Sequence, residues 1–140
     1  FNFFALTPYQ YVYLNFFAGK YSENSQKFEN DYWGISTKEL ISKISNNNII
    51  TNNSNIKVAV CGITDVHIKY YLKRYKNLKF KIVNLDENFD YIIMNNRINW
   101  DLKNIEIDAM KNRTCFNKYT GEDIIKIKRR GLILSKLTKI

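Results

Sequence analysis

Histidine and proline each occur once in this 140-residue chain, cysteine twice and glycine five times. Each scarcity excludes something. His67 has Asp65 two positions before it, but on a helix those side chains do not share a face, so a paired metal ligand is not expected there. Cys61 and Cys115 belong to no CxxC or Cys/His set, which argues against a zinc centre. The glycines form neither GxGxxG nor GxxxxGK, so neither dinucleotide nor P-loop chemistry is indicated. There is no nucleophile elbow and no Cys–His arrangement. No internal repeat is visible, and no unbroken apolar run approaches the ~20 residues that span a bilayer. No secretory leader is recognisable. The chain begins at Phe1 rather than Met, as expected of a processed chain or a piece of a longer one.

What is present suits one small domain. Apolar residues make up 45% and charged residues 25%, close to the globular norm, and a chain of this size buries a real core without staples. The net charge is +9, from 22 basic and 13 acidic residues. Such a balance permits an anionic partner. The lysines are scattered, however, and heavy use of Lys, Asn and Ile fits an A/T-rich coding bias. A solvated basic surface is therefore the expectation, and nucleic acid is not the expected partner. The one dense cluster is Lys126, Lys128, Arg129 and Arg130.

Residues 1–19 are apolar and strongly aromatic. Thr7-Pro8 makes a good helix start, with Tyr9, Tyr13 and Phe16 following at helical spacing and Gly19 able to end the helix. Two readings stand side by side: an aromatic helix at a membrane interface, or an aromatic face packed on the core. Ser36 and Glu39 suggest a capping box for a helix whose apolar face is Leu40, Ile41 and Ile44, ended by an Asn-rich loop at 46–55. Residues 56–61 (IKVAVC) read as a strand buried on both faces. Gly62-Ile63-Thr64 reads as an ordinary strand-to-helix turn, leading to a helix with Ile68, Tyr71, Leu72 and Tyr75 inward and His67 at the surface or helix start. Strands are expected at 79–83 and 90–95, completing a βαβ unit.

Residues 96–112 carry no clear pattern. The segments 113–119 and 123–129 read as a hairpin on the sheet edge, turning at Thr120-Gly121, with lysines on the wet face. From Gly131 the tail either continues the strand or frays. Both cysteines are expected as small buried apolar residues in strands, with a disulfide left open. Glu122 and Asp123 are expected to be solvated loop acids. The glycosylation patterns at Asn52 and Asn112 are attributed to chance in so Asn-rich a chain. The fold class expected is α/β: a small mixed sheet with a βαβ unit, flanking helices and a C-terminal β-hairpin.

Two stretches are distinctive: TPYQYVYLN at 7–15 and FENDYWGISTKEL at 28–40. Together they resemble the segment that opens the soluble C-terminal domain of bacterial membrane glycosyltransferases of the dolichyl-phosphate-mannose–protein mannosyltransferase type. DYIIMNNR at 90–97 and the closing CFNKYTGEDIIKIKRRG resemble that domain's later part. Thr7 stands where a His often precedes the first motif, and AGKYSENSQ replaces a usually Gly-rich link.

The resemblance implies one domain over 1–140, with 1–35 as an aromatic, membrane-proximal docking segment. It implies a partner in the membrane-embedded part of the same polypeptide, a polyprenyl-phosphate sugar as donor, and an extracytoplasmic, periplasmic location. The family's catalytic acids lie in a membrane-region loop outside this chain, so no catalytic residue, metal or cofactor is expected here. The candidate substrate or docking residues are Tyr9, Gln10, Tyr13, Asp31, Tyr32, Trp33 and Gly34. Of these, Trp33 and Tyr32 can fill a core while reaching a partner with N–H or O–H, and Gly34 permits a turn closed to other residues. The alternative is a stand-alone basic module that binds anionic lipid or nucleic acid through its basic strand.

Overall fold

A computed structural model describes residues 34–47, 55–97, 114–129 and 131–140. They form three helices, α1 (Ile35–Ser45), α2 (Asp65–Leu72) and α3 (Cys115–Lys118). The strands are β1 (Lys57–Cys61), β2 (Lys81–Val83), β3 (Tyr91–Asn95), β4 (Glu122–Arg129) and β5 (Leu132–Lys139). One mixed sheet joins the strands in the order β2-β1-β3-β5-β4. Both β2 and β3 pair with β1 in parallel, whereas β5 runs antiparallel to β3 and β4. This is the α/β fold with a βαβ unit and a closing hairpin that the sequence leads one to expect.

The sequence explains each inner strand. Val58–Cys61 and all of β3 are buried, as strands covered on two faces must be. On one face Val58, Val60, Tyr91, Ile93, Ile127 and Leu137 meet Leu40, Ile41 and Ile44 of α1 and Ile68 of α2. Each such side chain, fully buried, contributes about 1.5–3 kcal/mol. On the other face Ala59, Cys61, Ile92 and Met94 meet Cys115, with Phe89, Phe116 and Tyr119 packed around them.

Several local expectations are corrected. There is no capping box at Ser36. Helix α1 begins two residues earlier, with Gly34 as its N-cap and no side-chain cap. The Thr37 amide bonds to the Gly34 carbonyl at 3.1 Å. Ser36 is buried in the first turn, and Glu39 points instead to Arg129, 2.7 Å away. Residues 115–118 are helical, not extended. The hairpin is therefore one element further on: β4 pairs with β5, and the chain reverses between Arg129 and Leu132 with Gly131 at φ +84°.

Gly121 is not the hairpin turn. It enters β4 so close to β5 that a Cβ there would collide with the Lys139 carbonyl oxygen. The tail does not fray but lies between β3 and β4. The cysteines are buried as expected, yet they are bonded to each other with Cα atoms 5.8 Å apart. The bond holds the start of α3 against the end of β1. Asp123 is not a solvated loop acid but sits in β4 within a charged cluster.

Candidate functional site

The chain runs from β1 through α2 to β2 on one side of β1, and the next strand, β3, lies on the other side. At such a reversal the loops leaving the carboxyl ends of the strands diverge and leave a crevice, the usual ligand position in open parallel sheets. Here that position is the edge beyond Cys61 and Asn95, where β1 and β3 end.

Three segments converge on it. The first is the turn after β1. Gly62 has φ +84°, and a Cβ there would stand 2.8 Å from the Asn95 carbonyl oxygen and 3.4 Å from Cys115 Sγ. Only glycine lets these backbones approach so closely. Thr64 then caps α2 in extended conformation, its carbonyl accepting from the Ile68 amide at 3.2 Å. Thr64 Oγ1 and His67 Nδ1 lie 2.8 Å apart, and His67 is exposed at the helix start, as expected.

The second segment is the end of β3. Asn95 is fully buried, and its Nδ2 donates to Thr37 Oγ1 over 3.4 Å, tying β3 to the first turn of α1. Asn96 continues the tie: its amide reaches the Leu134 carbonyl at 2.7 Å and its side chain the Ile133 carbonyl at 2.9 Å. The third segment is the entry to α1. Gly34, at φ +63°, would place a Cβ 2.8 Å from Ile63 Cδ1 and 3.6 Å from Asn95 Nδ2. The Cys61–Cys115 bond ties the end of β1 to the start of α3 beside this edge.

Gly34 is thus the one candidate residue among the described ones, and it sits at this edge. Tyr9, Gln10, Tyr13, Asp31, Tyr32 and Trp33 lie outside the described residues, as do the 1–35 docking segment up to Trp33 and the 7–19 helix. Sequence reasoning missed Asn95, although a polar residue closing the apolar run YIIM was a readable signal. It treated Gly62 only as a turn, whereas the residue also makes the closest approach between β1 and β3.

A second polar centre lies on the outer strands. Asp123 receives Lys126 Nζ at 3.0 Å, Lys136 Nζ at 2.9 Å and the Thr138 hydroxyl at 2.7 Å. Burial pushes its carboxyl up, but the Thr138 hydroxyl and then the two ammonium groups outweigh that and hold it at about 2. Lys136 also lies 5.0 Å from the centre of the Phe116 ring. The acid is fully engaged in structure and is not poised to exchange protons near neutral pH.

Among the described residues no group of three His, Cys, Asp or Glu side chains is placed to hold a metal, and no helix is long and apolar enough to cross a membrane. At the carboxyl edge the two glycines admit the chain's own Asn95, Cys115 and Ile63, and Thr64 and His67 are the polar side chains exposed beside them. No family model, no curated protein and no solved structure matches the chain.

Proposed function

We propose that this chain is a non-catalytic, extracytoplasmic C-terminal domain of a membrane glycosyltransferase that transfers a sugar from a polyprenyl-phosphate carrier. The domain docks on the membrane-embedded part of its own polypeptide through the aromatic segment 1–35 and helps to shape the acceptor side. One observation carries this reading: the motifs TPYQYVYLN and FENDYWGISTKEL, one after the other, which resemble the segments that open that family's soluble domain.

Two structural features support it. The glycine of the second motif, Gly34, has a left-handed backbone at the entry to α1, so the motif carries a backbone requirement as well as side chains. The Cys61–Cys115 bond suits an oxidising compartment, such as the far side of a bacterial inner membrane.

The test has two arms. The purified chain, given a polyprenyl-phosphate sugar and acceptor peptides, is expected to fold and transfer nothing, and turnover would overturn its non-catalytic role. The coding sequence upstream of Phe1 is expected to encode several apolar stretches of ~20 residues. A start codon directly before Phe1 would sink the glycosyltransferase reading.

A further inference from the structure

Only three large apolar side chains are strongly exposed among the described residues: Val66, Tyr70 and Ile140. Val66 and Tyr70 stand one turn apart on the outer stripe of α2, 75% and 54% exposed, while Ile68 on the opposite side of the helix is fully buried. Lys69 and Lys73 flank that stripe, and Arg74 follows one turn after Tyr70. The Arg74 guanidinium lies 5.1 Å from the Tyr70 ring centre and donates to its hydroxyl at 2.9 Å. Residues 65–79 carry Lys69, Lys73, Arg74, Lys76 and Lys79 against Asp65 as the single acid.

The core does not need this face. Its apolar centre and cationic rim are the arrangement that interfacial helices use, with the ring and aliphatic groups at the acyl boundary and the cations among anionic headgroups. We infer that the outer face of α2, centred on Val66 and Tyr70 and rimmed by Lys69, Lys73 and Arg74, docks on an anionic bilayer surface. The excess of five cations over one acid in 65–79 is what selects lipid headgroups rather than an apolar protein groove. A tyrosine with a wet hydroxyl and a buried ring fits the headgroup level.

The inference deepens the membrane reading above but does not need a glycosyltransferase to be tested. Vesicle binding and sugar transfer can fail independently.

The experiment is co-flotation of the full chain with phosphatidylcholine vesicles, with and without phosphatidylglycerol. Binding is expected only with phosphatidylglycerol and is expected to fall as salt rises. Lys69→Gln with Lys73→Gln should weaken it about 25-fold, near fivefold per cation removed. Tyr70→Ser should weaken it several-fold with the charge unchanged, and Lys69→Arg with Lys73→Arg should keep it. All these positions are exposed, so folding is not at stake, and unchanged circular dichroism verifies that. Equal binding to phosphatidylcholine alone, or binding indifferent to the Gln pair, overturns the proposal. So does an oligonucleotide that binds more tightly than the vesicles and is lost in the same variants.

Discussion

The inner, parallel half of the sheet and the outer, antiparallel half are held by different means. In β1 and β3 nearly every residue is buried, and the strands are covered on both faces by apolar side chains. The edge strand β4 has a mixed exposure pattern, two register shifts against β5 and a partly buried acid with two lysines, while β5, between β3 and β4, is mostly buried. The bulges add twist to an edge that would otherwise invite a further strand. The parallel half brings backbones to within a glycine's width at Gly62, and the Ile63 and Asn95 side chains close on Gly34 at the same edge. The antiparallel half closes the sheet, adds Ile127 and Leu137 to the shared core and carries the Asp123 charge cluster.

The comparison breaks most sharply at the disulfide. Cys61 and Cys115 are 54 residues apart in sequence, so the bond removes a long loop from the unfolded chain. Replacing both with Ala should cost about 4 kcal/mol on the loop-entropy argument, read as a lower urea midpoint. A loss below about 1 kcal/mol would mean that apolar packing alone holds the end of β1.

Next come two isoleucines in the two halves. Ile93 in β3 is fully buried, so Ile93→Ala should cost about 2–5 kcal/mol. Ile125 in β4 is only partly buried, and Ile125→Ala should cost less than half as much. Equal losses from the two in urea titrations would erase the distinction between the halves.

How much of this was legible before the structure also divides along the same line. The parallel half announced itself: IKVAVC and DYIIMN are apolar runs of strand length, and Ile68, Tyr71, Leu72 and Tyr75 fall at helical spacing between them. The outer half was legible only in part: 123–129 is an edge strand as expected, but CFNKY has no helical periodicity in so short a piece, and its bond to Cys61 is revealed by no local pattern. Thr120-Gly121 looked like a turn because glycine's use in close backbone approach is indistinguishable in sequence from its use in reversal. Ser36 and Glu39 matched a cap, but a left-handed glycine took the N-cap position and Glu39 went to Arg129, 90 residues away in sequence. Of the site, Gly34 was found through its motif. Asn95 and Gly62 gain meaning only once β1 and β3 are known to be neighbours.

The smallest effect, and the one that isolates the outer half, concerns acid. Asp123 is ordinary at 3.8 and lies at about 2 in the folded protein. A carboxyl depressed on folding adds stability that is complete above its unfolded value and is lost as pH falls through the folded one. The window here runs from about pH 5 down to about pH 2, and the gap corresponds to on the order of 2 kcal/mol. Asp123→Asn should remove it, leaving Lys136, whose side chain is only 12% exposed, without its carboxylate. The variant should therefore be less stable than the parent at pH 7, with the difference shrinking as acid is added, in urea midpoints taken at a series of pH values. A difference that stays constant with pH would mean that Asp123 acts through hydrogen-bond shape rather than charge. The outer strands would then be held as the inner ones are, by fit.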